Sequence, residues 1–294
     1  MNWRKDLNAV ILEDEPLDRH TTLKAGPKAD FWIEPKDREA LSELIKKARQ
    51  HKKDYLVIGR GSKLLIVKKR LGLAIHLGSD AFTRVRVEGE DLIAGSGASA
   101  AKVIRAALNS GLGGLEFLNG IPATVGGAVR LNAGVGYPER IEIGAFVRGL
   151  EVMDQSGRIK VLDKKDLEFG YRYSNLAPYI ILSARFSLFK KRKPNIRIKM
   201  EKYRDYRLKT QELEYPSAGC IFKNPEGDSS GRLIDACGLK GRRIGNALIS
   251  RRHANFIINL GQALPADILS LMKLAQRQVR KKFKIKLEPE IQVI

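Results

Sequence analysis

The stretch that decides the fold is residues 111–136, GLGGLEFLNGIPATVGGAVRLNAGVG, which carries eight glycines in 26 positions. Within it, Pro122 predicts a turn, and Thr124 is a candidate cap for a helix whose first turn contains residues 126–127. A helix that begins without bulky side chains lets a pyrophosphate approach its backbone N–H groups closely. Asn132 then interrupts the helix. This segment therefore predicts a seat for a pyrophosphate.

Two further glycine segments lie upstream. Residues 59–63, GRGSK, follow a predicted strand, and their N–H groups with the Ser62 hydroxyl are suited to hold a phosphate. An ordinary tight exit from the strand is the alternative. Residues 95–100, GSGASA, match the G-x-G-x-x-A dinucleotide fingerprint, and Glu116 stands about 20 positions onward, where a ribose-binding acid is expected. The neighbouring elements do not continue a βαβ pattern, which argues against a Rossmann domain. Two phosphate-binding loops in one basic region indicate a dinucleotide ligand without specifying it.

The remaining pattern mixes strands and helices without regular βαβ alternation, which predicts an α+β chain. Apolar spacing with capping residues predicts helices, and alternating residues around turn sequences predict hairpins. A change to basic composition after Phe186 marks the expected domain boundary. The predicted elements are a buried strand at 55–58, hairpins at 84–95 and 150–162, helices spanning 41–48, 99–111, 200–208 and 265–279, and a terminal strand at 284–294.

The charge balance is strongly basic. The chain has 54 Lys and Arg against 33 Asp and Glu, a formal net charge of +21. Such an excess favours anionic partners, which include nucleic acid, anionic lipid and phosphorylated small molecules. Much of the excess lies at 190–211 and 273–286, where apolar spacing also predicts structured elements. A solvated face on a helix or strand is the favoured interpretation of these stretches, and nucleic-acid binding is the alternative.

Length and composition predict a soluble, cytoplasmic protein. With 294 residues, about two domains are expected. No apolar run reaches the ~18–20 residues of a membrane span, and residues 1–16 lack the apolar core of a secretory signal. Two cysteines, Cys220 and Cys237, are too few for a disulfide scaffold. Together with His253 they lack the spacing of a zinc site, so no metal is expected.

Eight segments occur in an order that is highly specific when they are taken together. They are HTTL (20–23), GRGSKLLI (59–66), GLEFLNGIPATVGGA (114–128), FGYRYS (169–174), PSAGCIFKNP (216–225), LIDACGLKG (233–241), HANFIIN (253–259) and LEPE (287–290). Through these segments the chain resembles the UDP-N-acetylenolpyruvoylglucosamine reductase family of bacterial cell-wall synthesis, also called UDP-N-acetylmuramate dehydrogenases. The resemblance covers nearly the whole chain. The short stretch before Pro216 looks like the compact subtype of that family.

The resemblance implies an α+β architecture, with a two-subdomain FAD-binding fold of the vanillyl-alcohol-oxidase (PCMH-type) class followed by a C-terminal α+β substrate domain. The expected domains are 1–187, with subdomains of about 1–67 and 68–187, and 188–294. FAD is the implied cofactor, which sets the Rossmann interpretation aside. The positions carried over for FAD are Gly59, Gly61, Ser62, Lys63, Leu64, Gly120, Ile121, Pro122, Thr124, Gly126, Gly127, Asn132, Ala133 and Gly134.

The implied reaction reduces UDP-N-acetylglucosamine enolpyruvate to UDP-N-acetylmuramate, a precursor of peptidoglycan, with NADPH as co-substrate. Hydride reaches the terminal CH2 carbon of the enolpyruvyl double bond, which is called the far carbon. Negative charge then spreads from the carbon that carries the carboxylate, which is called the near carbon, into that carboxylate. The positions carried over for the substrate are Tyr171, Lys223, Asn224 and His253, and a structural role is an equal alternative for His253. Neither nucleic acid nor a membrane is an expected partner, and a monomer is favoured.

Three residues match catalytic positions of the family. Arg172 offers two donors for the substrate carboxylate. Glu290 helps only if burial keeps it protonated, because a charged carboxylate repels the developing anion. Cys220 stands where most relatives have serine, and its thiol is suited to protonate the near carbon as a general acid. A small buried side chain is the alternative for Cys220. Lys63 stands where relatives usually have asparagine, which puts the flavin affinity in question.

Two other functions stay open on the sequence. One is a basic nucleic-acid-binding protein built on a retired flavoenzyme scaffold, and the presence of Arg172, Glu290 and Cys220 argues against it. The other is a different flavin oxidoreductase of the same fold, such as an alcohol oxidase. Such enzymes lack the segments at 217–224 and 287–290. Bound flavin separates an enzyme from the nucleic-acid-binding protein.

Overall fold

The computed structural model describes residues 6–136 and 139–294. Contacts between Cα atoms divide the chain into two compact units. The first unit comprises the residues up to Asp14, together with Asp30–Gly59 and Gly72–Asp205. The second unit comprises Glu15–Ala29, Arg60–Leu71 and Tyr206–Ile294. This division differs from the continuous split expected at 187/188, because two short segments from the N-terminal part of the chain group with the C-terminal residues.

Helices occur in both units. The α-helices are α1 (Arg38–Gln50), α2 (Asp80–Thr83), α3 (Ala100–Asn109), α4 (Val125–Arg130), α5 (Lys193–Thr210), α6 (Ser230–Ala236) and α7 (Pro265–Phe283). Short 3-10 turns lie at Leu17–His20, Glu116–Leu118, Ile143–Ala145 and Lys164–Asp166. The predicted helices at 41–48, 99–111, 200–208 and 265–279 are confirmed as α1, α3, α5 and α7. None of the helices in the described part of the chain has both the length and the apolar character of a membrane span.

The strands are mostly short. They are β1 (Ala9–Pro16), β2 (Lys28–Pro35), β3 (Tyr55–Val57), β4 (Leu64–Leu65), β5 (Arg70–Ile75), β6 (Val85–Glu88), β7 (Asp91–Gly95), β8 (Leu112–Gly113), β9 (Gly134–Val135), β10 (Ile141–Glu142), β11 (Val147–Met153), β12 (Ile159–Asp163), β13 (Phe169–Gly170), β14 (Tyr173–Ser174), β15 (Ile180–Ser187), β16 (Phe189–Lys190), β17 (Ser217–Cys220), β18 (Arg243–Ile244), β19 (Ala247–Ile249), β20 (Phe256–Asn259) and β21 (Gln292–Val293).

Two larger sheets organise the first unit. One has the strand order β1-β2-β5-β3, in which β3 runs parallel to β5. The other has the order β12-β11-β15-β7-β6, in which neighbouring strands are antiparallel. The two predicted hairpins are confirmed as the β6–β7 and β11–β12 pairs. The antiparallel neighbours of β7 also confirm that GSGASA, which follows β7, does not belong to a Rossmann unit.

Capped amphipathic helices supply the apolar cores of this unit. The Asp37 side chain caps α1 by accepting from Ala40 N at 2.8 Å, and Leu41, Leu44 and Ile45 of α1 are buried against β2 and β5. Ser99 caps α3 in the same way, and the apolar face of α3 joins a second core with α4. Each fully buried aliphatic side chain contributes roughly 1.5–3 kcal/mol. The helices therefore form where a cap and a one-sided apolar pattern coincide.

The second unit is built on an antiparallel sheet with the order β17-β20-β19-β18. Helix α7 begins at Pro265, a residue suited to the first helical turn, and buries Ile268, Leu271 and Met272 in the core. Leu23 and Leu65 lie in the same core. Strand β4 pairs in parallel with β21. These long-range contacts explain why segments 15–29 and 60–71 belong to this unit.

Three predicted features were wrong in part. The strand predicted at 55–58 is β3, whose residues 55–57 are half-buried instead of buried; Ile58, just after β3, is buried as expected. Leu208 in α5 is 51% exposed, so its place in the apolar pattern does not bring it into a core. The terminal strand is reduced to β21. A left-handed Lys284 ends α7, and Pro289, which has no N–H for a ladder, forms only an isolated bridge.

Candidate active site

The predicted pyrophosphate segment forms a capped turn in the first unit. Thr124 is the N-cap of α4, and its Oγ1 accepts from Gly127 N at 3.3 Å. Gly126 N donates to Ser96 O at 2.8 Å, so α4 starts directly beside that residue. A Cβ on Gly59 would collide with Thr124 Oγ1. The close approach of two loops therefore explains the glycine at position 59, whether or not a ligand also contacts it.

The loop at 61–64 belongs to the second unit. Gly61 has a φ of 59°, and a Cβ at this position would collide with His20 O. Because both the conformation and the space exclude a side chain, only glycine fits there. Ser62 is half-buried, and Leu64 begins β4. The N–H groups of this loop are therefore held in a fixed, narrow turn.

Three buried hydroxyl groups have no hydrogen-bond partner within the described residues: Ser96 Oγ, Thr22 Oγ1 and the Tyr203 hydroxyl. Ser96 in the first unit and Thr22 in the second are the two that lie near the candidate phosphate-binding loops. Ser96 adjoins the start of α4, and Thr22 follows the residue against which Gly61 packs. An unpaired buried hydroxyl costs roughly 1–3 kcal/mol, so each favours an additional polar group beside it. Both loops thus fit the phosphate and hydroxyl groups of FAD. Neither residue was assigned from the sequence, although each lies in a recognised segment, GSGASA or HTTL.

Asn132 is buried, and its amide is used inside the first unit. Nδ2 donates to Glu142 Oε2 at 3.0 Å and to Gly170 O at 2.9 Å, while Oδ1 accepts from Gly144 N at 2.9 Å. The amide therefore supports the β13–β14 hairpin, and a contact with FAD is left to the Asn132 backbone. The remaining candidate FAD positions flank α4: Gly120, Ile121, Pro122 and Ala133 lie on the loops, and Gly134 begins β9.

Arg172 lies in the two-residue turn between β13 and β14. Its φ of 55° is uncommon for a residue with a side chain. Nη2 donates to Gly134 O at 3.0 Å, and Cζ is 5.2 Å from the centre of the Tyr171 ring. Arg140 Cζ is 5.1 Å from the centre of the same ring. The turn and these contacts hold the Arg172 guanidinium in one place, next to the candidate substrate residue Tyr171.

Cys220 ends β17, an edge strand in the second unit. The pairing of β17 shifts register between Ser217 and Cys220, and Gly219 has a φ of 68°. Such a bulge bends the strand and redirects its side chains. Arg207 interacts electrostatically with Cys220: burial lowers the pKa of the Arg207 guanidinium, and Cys220 acts in the opposite direction. Arg207 was missed from the sequence, where it is one basic residue among many in 190–211.

The side chain of Lys63 connects the segments that carry Cys220 and Glu290. Its Nζ donates to Cys220 O at 2.8 Å and lies 2.7 Å from Glu290 Oε1. The Glu290 side chain is 6% exposed. The second unit thus brings two of the candidate catalytic residues together around an ammonium group that the resemblance assigns to the FAD loop. Arg172 belongs to the first unit.

Lys223 and Asn224 follow Cys220 along the chain and are well anchored. Lys223 N donates to Glu288 O at 2.9 Å, which ties this segment to LEPE. Asn224 Oδ1 accepts from Ser230 N at 3.1 Å, at the start of α6. Asn224 therefore supports α6 as well as standing in a candidate substrate position.

His253 is half-buried, with its ring centre 4.6 Å from that of Phe256. Its Nδ1 accepts from Asn255 N at 3.2 Å. Burial lowers the pKa of His253, and the charge of Lys240 lowers it further. The imidazole is therefore neutral near pH 7 and carries its proton on Nε2, which makes it a donor.

Two other positions singled out from the sequence have structural partners. Glu116 is buried, its Oε1 lies 2.8 Å from Lys191 Nζ, and its Oε2 accepts from Gly114 N. Burial alone would raise the pKa of Glu116, but these hydrogen bonds bring it below the ordinary value of 4.5. Glu116 is thus not a ribose-binding acid. Cys237 caps the C-terminal end of α6 and packs partly buried against the second unit's core, and burial raises its pKa.

Comparison with known proteins gives one family over almost the whole chain. A family model described as UDP-N-acetylenolpyruvoylglucosamine reductase, C-terminal domain, matches residues 211–294, and a model described as FAD binding domain matches residues 29–163. The UDP-N-acetylenolpyruvoylglucosamine reductase of Bacillus licheniformis is 38% identical over 288 residues, which cover 97% of this chain and 94% of the relative. That of Caldanaerobacter subterraneus subsp. tengcongensis is 40% identical, covering 96% and 92%. A crystal structure of the enzyme from Thermus caldophilus has a TM-score of 0.82 at 36% identity, covering 97% of this chain and 98% of that one.

Proposed function

This chain belongs to the UDP-N-acetylenolpyruvoylglucosamine reductase family, and we propose that it takes the electrons for its reaction from NADPH. It is an FAD-dependent oxidoreductase that reduces UDP-N-acetylglucosamine enolpyruvate in peptidoglycan precursor synthesis. The observation that carries this function is the match to reductases over almost the full length of both chains. That match removes the nucleic-acid-binding protein and the alcohol oxidase from consideration. The same proposal keeps the enzyme in the cytoplasm, as a monomer.

The cofactor is held by backbone groups of two loops in this proposal. When bound, FAD would carry hydride from NADPH to the far carbon of the enolpyruvyl double bond. The N–H groups of residues 59–64 and 120–134 would hold its phosphates, and the unpaired Ser96 and Thr22 hydroxyls would add polar contacts. The packing of Gly59 and Gly61 supports this proposal, because it keeps both loops narrow and rigid.

Arg172 would bind the substrate carboxylate, where negative charge accumulates as the double bond is reduced. Preorganised donors at the site of developing charge are often the largest catalytic contribution. The left-handed turn and the bond to Gly134 O support this role, because they fix the guanidinium before substrate binds. Tyr171 would stack beside the substrate, and Lys223, Asn224 and His253 would contact the UDP-sugar.

Cys220 would supply the proton to the near carbon, and Glu290 would stabilise the charge that precedes this step. A thiol has a reference pKa of about 8.5, so it gives up its proton more readily than the serine hydroxyl that most relatives carry. The bulge at Gly219 supports a role for Cys220 beyond regular strand packing, because it breaks the alternation of β17 and leaves Cys220 only half-buried. The near-complete burial of Glu290 supports a role in a site that excludes water.

The function is tested by the substrate dependence of NADPH oxidation. The purified, FAD-loaded protein should oxidise NADPH in the presence of UDP-N-acetylglucosamine enolpyruvate and form UDP-N-acetylmuramate, identified by mass. UDP-N-acetylglucosamine, which lacks the double bond, is the matched control and should give no oxidation. NADPH consumption without formation of this product would contradict the proposed reaction.

A further inference from the structure

Lys63 stands in the site but has no role in the reaction as described. Its Nζ lies 2.7 Å from Glu290 Oε1 and donates to Cys220 O at 2.8 Å. The Lys63 side chain is 23% exposed and that of Glu290 6%. The two side chains form a mostly buried ion pair that touches the backbone of the proposed proton donor.

The backbone holds these three segments in register. Lys63 O accepts from Gln292 N at 2.8 Å, and the parallel pairing of β4 with β21 begins directly after Lys63. Glu290 N donates to Ile221 O at 2.7 Å, one residue beyond Cys220. Because the chain is fixed on both sides of the ion pair, Lys63 and Glu290 meet in one geometry, unlike two mobile surface side chains.

We propose that Lys63 is a positioning residue that acts through Glu290. It orients the Glu290 carboxylate and cancels its charge, so that Glu290 stands beside the developing anion without being protonated. The proposal rests on the proposed function and deepens it. It replaces the expectation that Glu290 works only in its protonated form.

The charge balance gives the reason. A lone carboxylate would repel an enolate-like substrate, and either a proton or a neighbouring cation removes that repulsion. An ammonium at 2.7 Å does so because the ion pair carries no net charge. Attraction between opposite charges is strong where water is excluded. Losing one member of a buried pair is costly, because the other charge is left without its partner.

The first test removes the charge and keeps the length of the side chain. In the FAD-loaded enzyme, Lys63→Met should slow reoxidation of the reduced protein by the enolpyruvyl substrate about 10- to 100-fold, the usual cost of losing a supporting partner. Reduction by NADPH, measured on the same flavin-loaded preparations, should fall less than reoxidation does. Lys63→Arg should restore most of the rate, because it retains a positive charge and donors. Flavin content and melting temperature identify any variant that does not fold or load.

A double-mutant cycle tests whether Lys63 acts through Glu290. In a Glu290→Gln background there is no carboxylate charge to cancel, so adding Lys63→Met should change the reoxidation rate by less than about twofold. If Lys63→Met costs the same factor in both backgrounds, Lys63 acts independently of Glu290 and the proposal is overturned.

Infrared spectroscopy gives a readout that does not depend on turnover. The difference spectrum between the wild type and Glu290→Gln, at neutral pH, reports the protonation state of Glu290. We expect carboxylate bands in the wild type, because the Lys63 ammonium lies 2.7 Å from the Glu290 carboxylate and cancels its charge. A carboxylic acid band in the wild type would overturn the charge-cancelling role.

Lys160→Met is the matched control. Lys160 Nζ lies 3.2 Å from Asp154 Oδ2, and Lys160 stands in β12, outside the proposed site. The change should leave both half-reactions as in the wild type. Equal reoxidation rates for wild type and Lys63→Met would overturn the role of Lys63 and leave the reductase function intact. Failure of the wild type itself to be reoxidised by the substrate would instead count against the proposed function.

Discussion

Cys220 has an irregular place in its strand. The bulge at Gly219 removes Cys220 from the regular in–out alternation of β17. If its thiol donates the proton to the near carbon, Cys220→Ser should stay active, whereas Cys220→Ala should slow reoxidation roughly 10²- to 10⁴-fold, as is typical for a lost general acid. Reduction by NADPH should not change in either variant. The rates are compared by stopped-flow absorbance in ordinary and heavy water.

A second outcome would remove Cys220 from the chemistry. Were Cys220→Ala reoxidised as fast as the wild type, the thiol would serve only in packing. Alkylation provides an independent check, because it should slow the same half-reaction and the UDP-sugar should protect the thiol. A thiol alkylated equally fast with and without the UDP-sugar would lie outside the substrate site.

The rate of reoxidation is expected to depend on the shape of the Arg172 guanidinium as well as on its charge. Arg172→Lys should retain fold and flavin but slow reoxidation about 10²- to 10³-fold, because an ammonium cannot present two fixed donors to a carboxylate. The variant also loses the bond to Gly134 O that helps to fix the side chain. The measurement is single-turnover reoxidation at saturating substrate. A wild-type rate would show that Arg172 does not meet the developing charge.

The sequence motifs identified individual site residues, but they did not identify the side chains that these residues contact. Lys63 was placed in the FAD loop by its position in GRGSK, but its contact with Glu290 depends on the pairing of β4 with β21, which is distant in sequence. Asn132 was expected to contact FAD, yet its amide supports the β13–β14 hairpin. Motif order identifies residue positions, whereas side-chain partners follow from tertiary pairing.

At the scale of elements, capping and periodicity were sufficient to predict the longer helices. Asp37, Ser99 and Thr124 each cap the helix that follows them, and Pro265 begins α7. Short elements were less predictable, because a two-residue strand such as β21 has no period of its own and exists only through its partner β4.

The start of α4 allows a test in which stability and ligand affinity move in opposite directions. A Cβ on Gly127 would lie 3.4 Å from Thr124 Oγ1, an ordinary contact, and Gly127 is exposed. Gly127→Ala should therefore stabilise the flavin-free protein by up to about 1 kcal/mol through helix propensity. It should weaken FAD binding about tenfold or more, because the methyl group occupies the approach of the phosphate.

Gly59→Ala is the matched comparison for Gly127→Ala. A Cβ on Gly59 would collide with Thr124 Oγ1 and displace the cap of α4, so both stability and FAD affinity should fall, the stability by about 1 kcal/mol. Denaturant unfolding and titration with FAD measure the two effects. If Gly127→Ala binds FAD like the wild type, the phosphates do not lie against the start of α4.

At the scale of the whole molecule, stability depends on a set of carboxylates, although the chain is strongly basic. Burial alone would raise the pKa of Glu116 and Glu151, but hydrogen bonds from Lys191 and from Arg38 and Ser183 lower both below the ordinary 4.5. The Ser156 hydroxyl and backbone donors of the β11–β12 turn lower the pKa of Asp154 far below 3.8. The folded state therefore binds protons less readily than the unfolded chain.

The melting temperature should reflect this difference. Carboxyl groups with a lowered pKa stabilise the folded state above their ordinary range near 4, and this stability is lost as the pH falls through that range and below it. We expect the melting temperature to be flat from pH 7 to about 5 and to fall steeply below pH 4. Asp154→Asn should be less stable at pH 7 and lose less on acidification. Parallel curves for the two proteins would contradict the role of Asp154.

The division into two units was the least predictable feature at this scale. A boundary near 187 follows the change in composition, but Leu23 and Leu65 pack in the second unit's core. Composition reflects only the residues of one stretch of sequence. The segments 15–29 and 60–71 belong to the second unit because their side chains are buried against residues that are distant in sequence. The functional assignment did not depend on the boundary, because the matched segments run through both units.

Anaerobic reoxidation of the FAD-loaded protein, after reduction by one equivalent of NADPH, tests the proposed reaction without interference from oxygen. We expect UDP-N-acetylglucosamine enolpyruvate to restore the oxidised flavin absorbance in a single fast phase. One equivalent of UDP-N-acetylmuramate should form, and in heavy water it should carry one deuterium at the near carbon. Flavin that stays reduced in the presence of this substrate, while air reoxidises it normally, would show that the protein does not carry out this reaction.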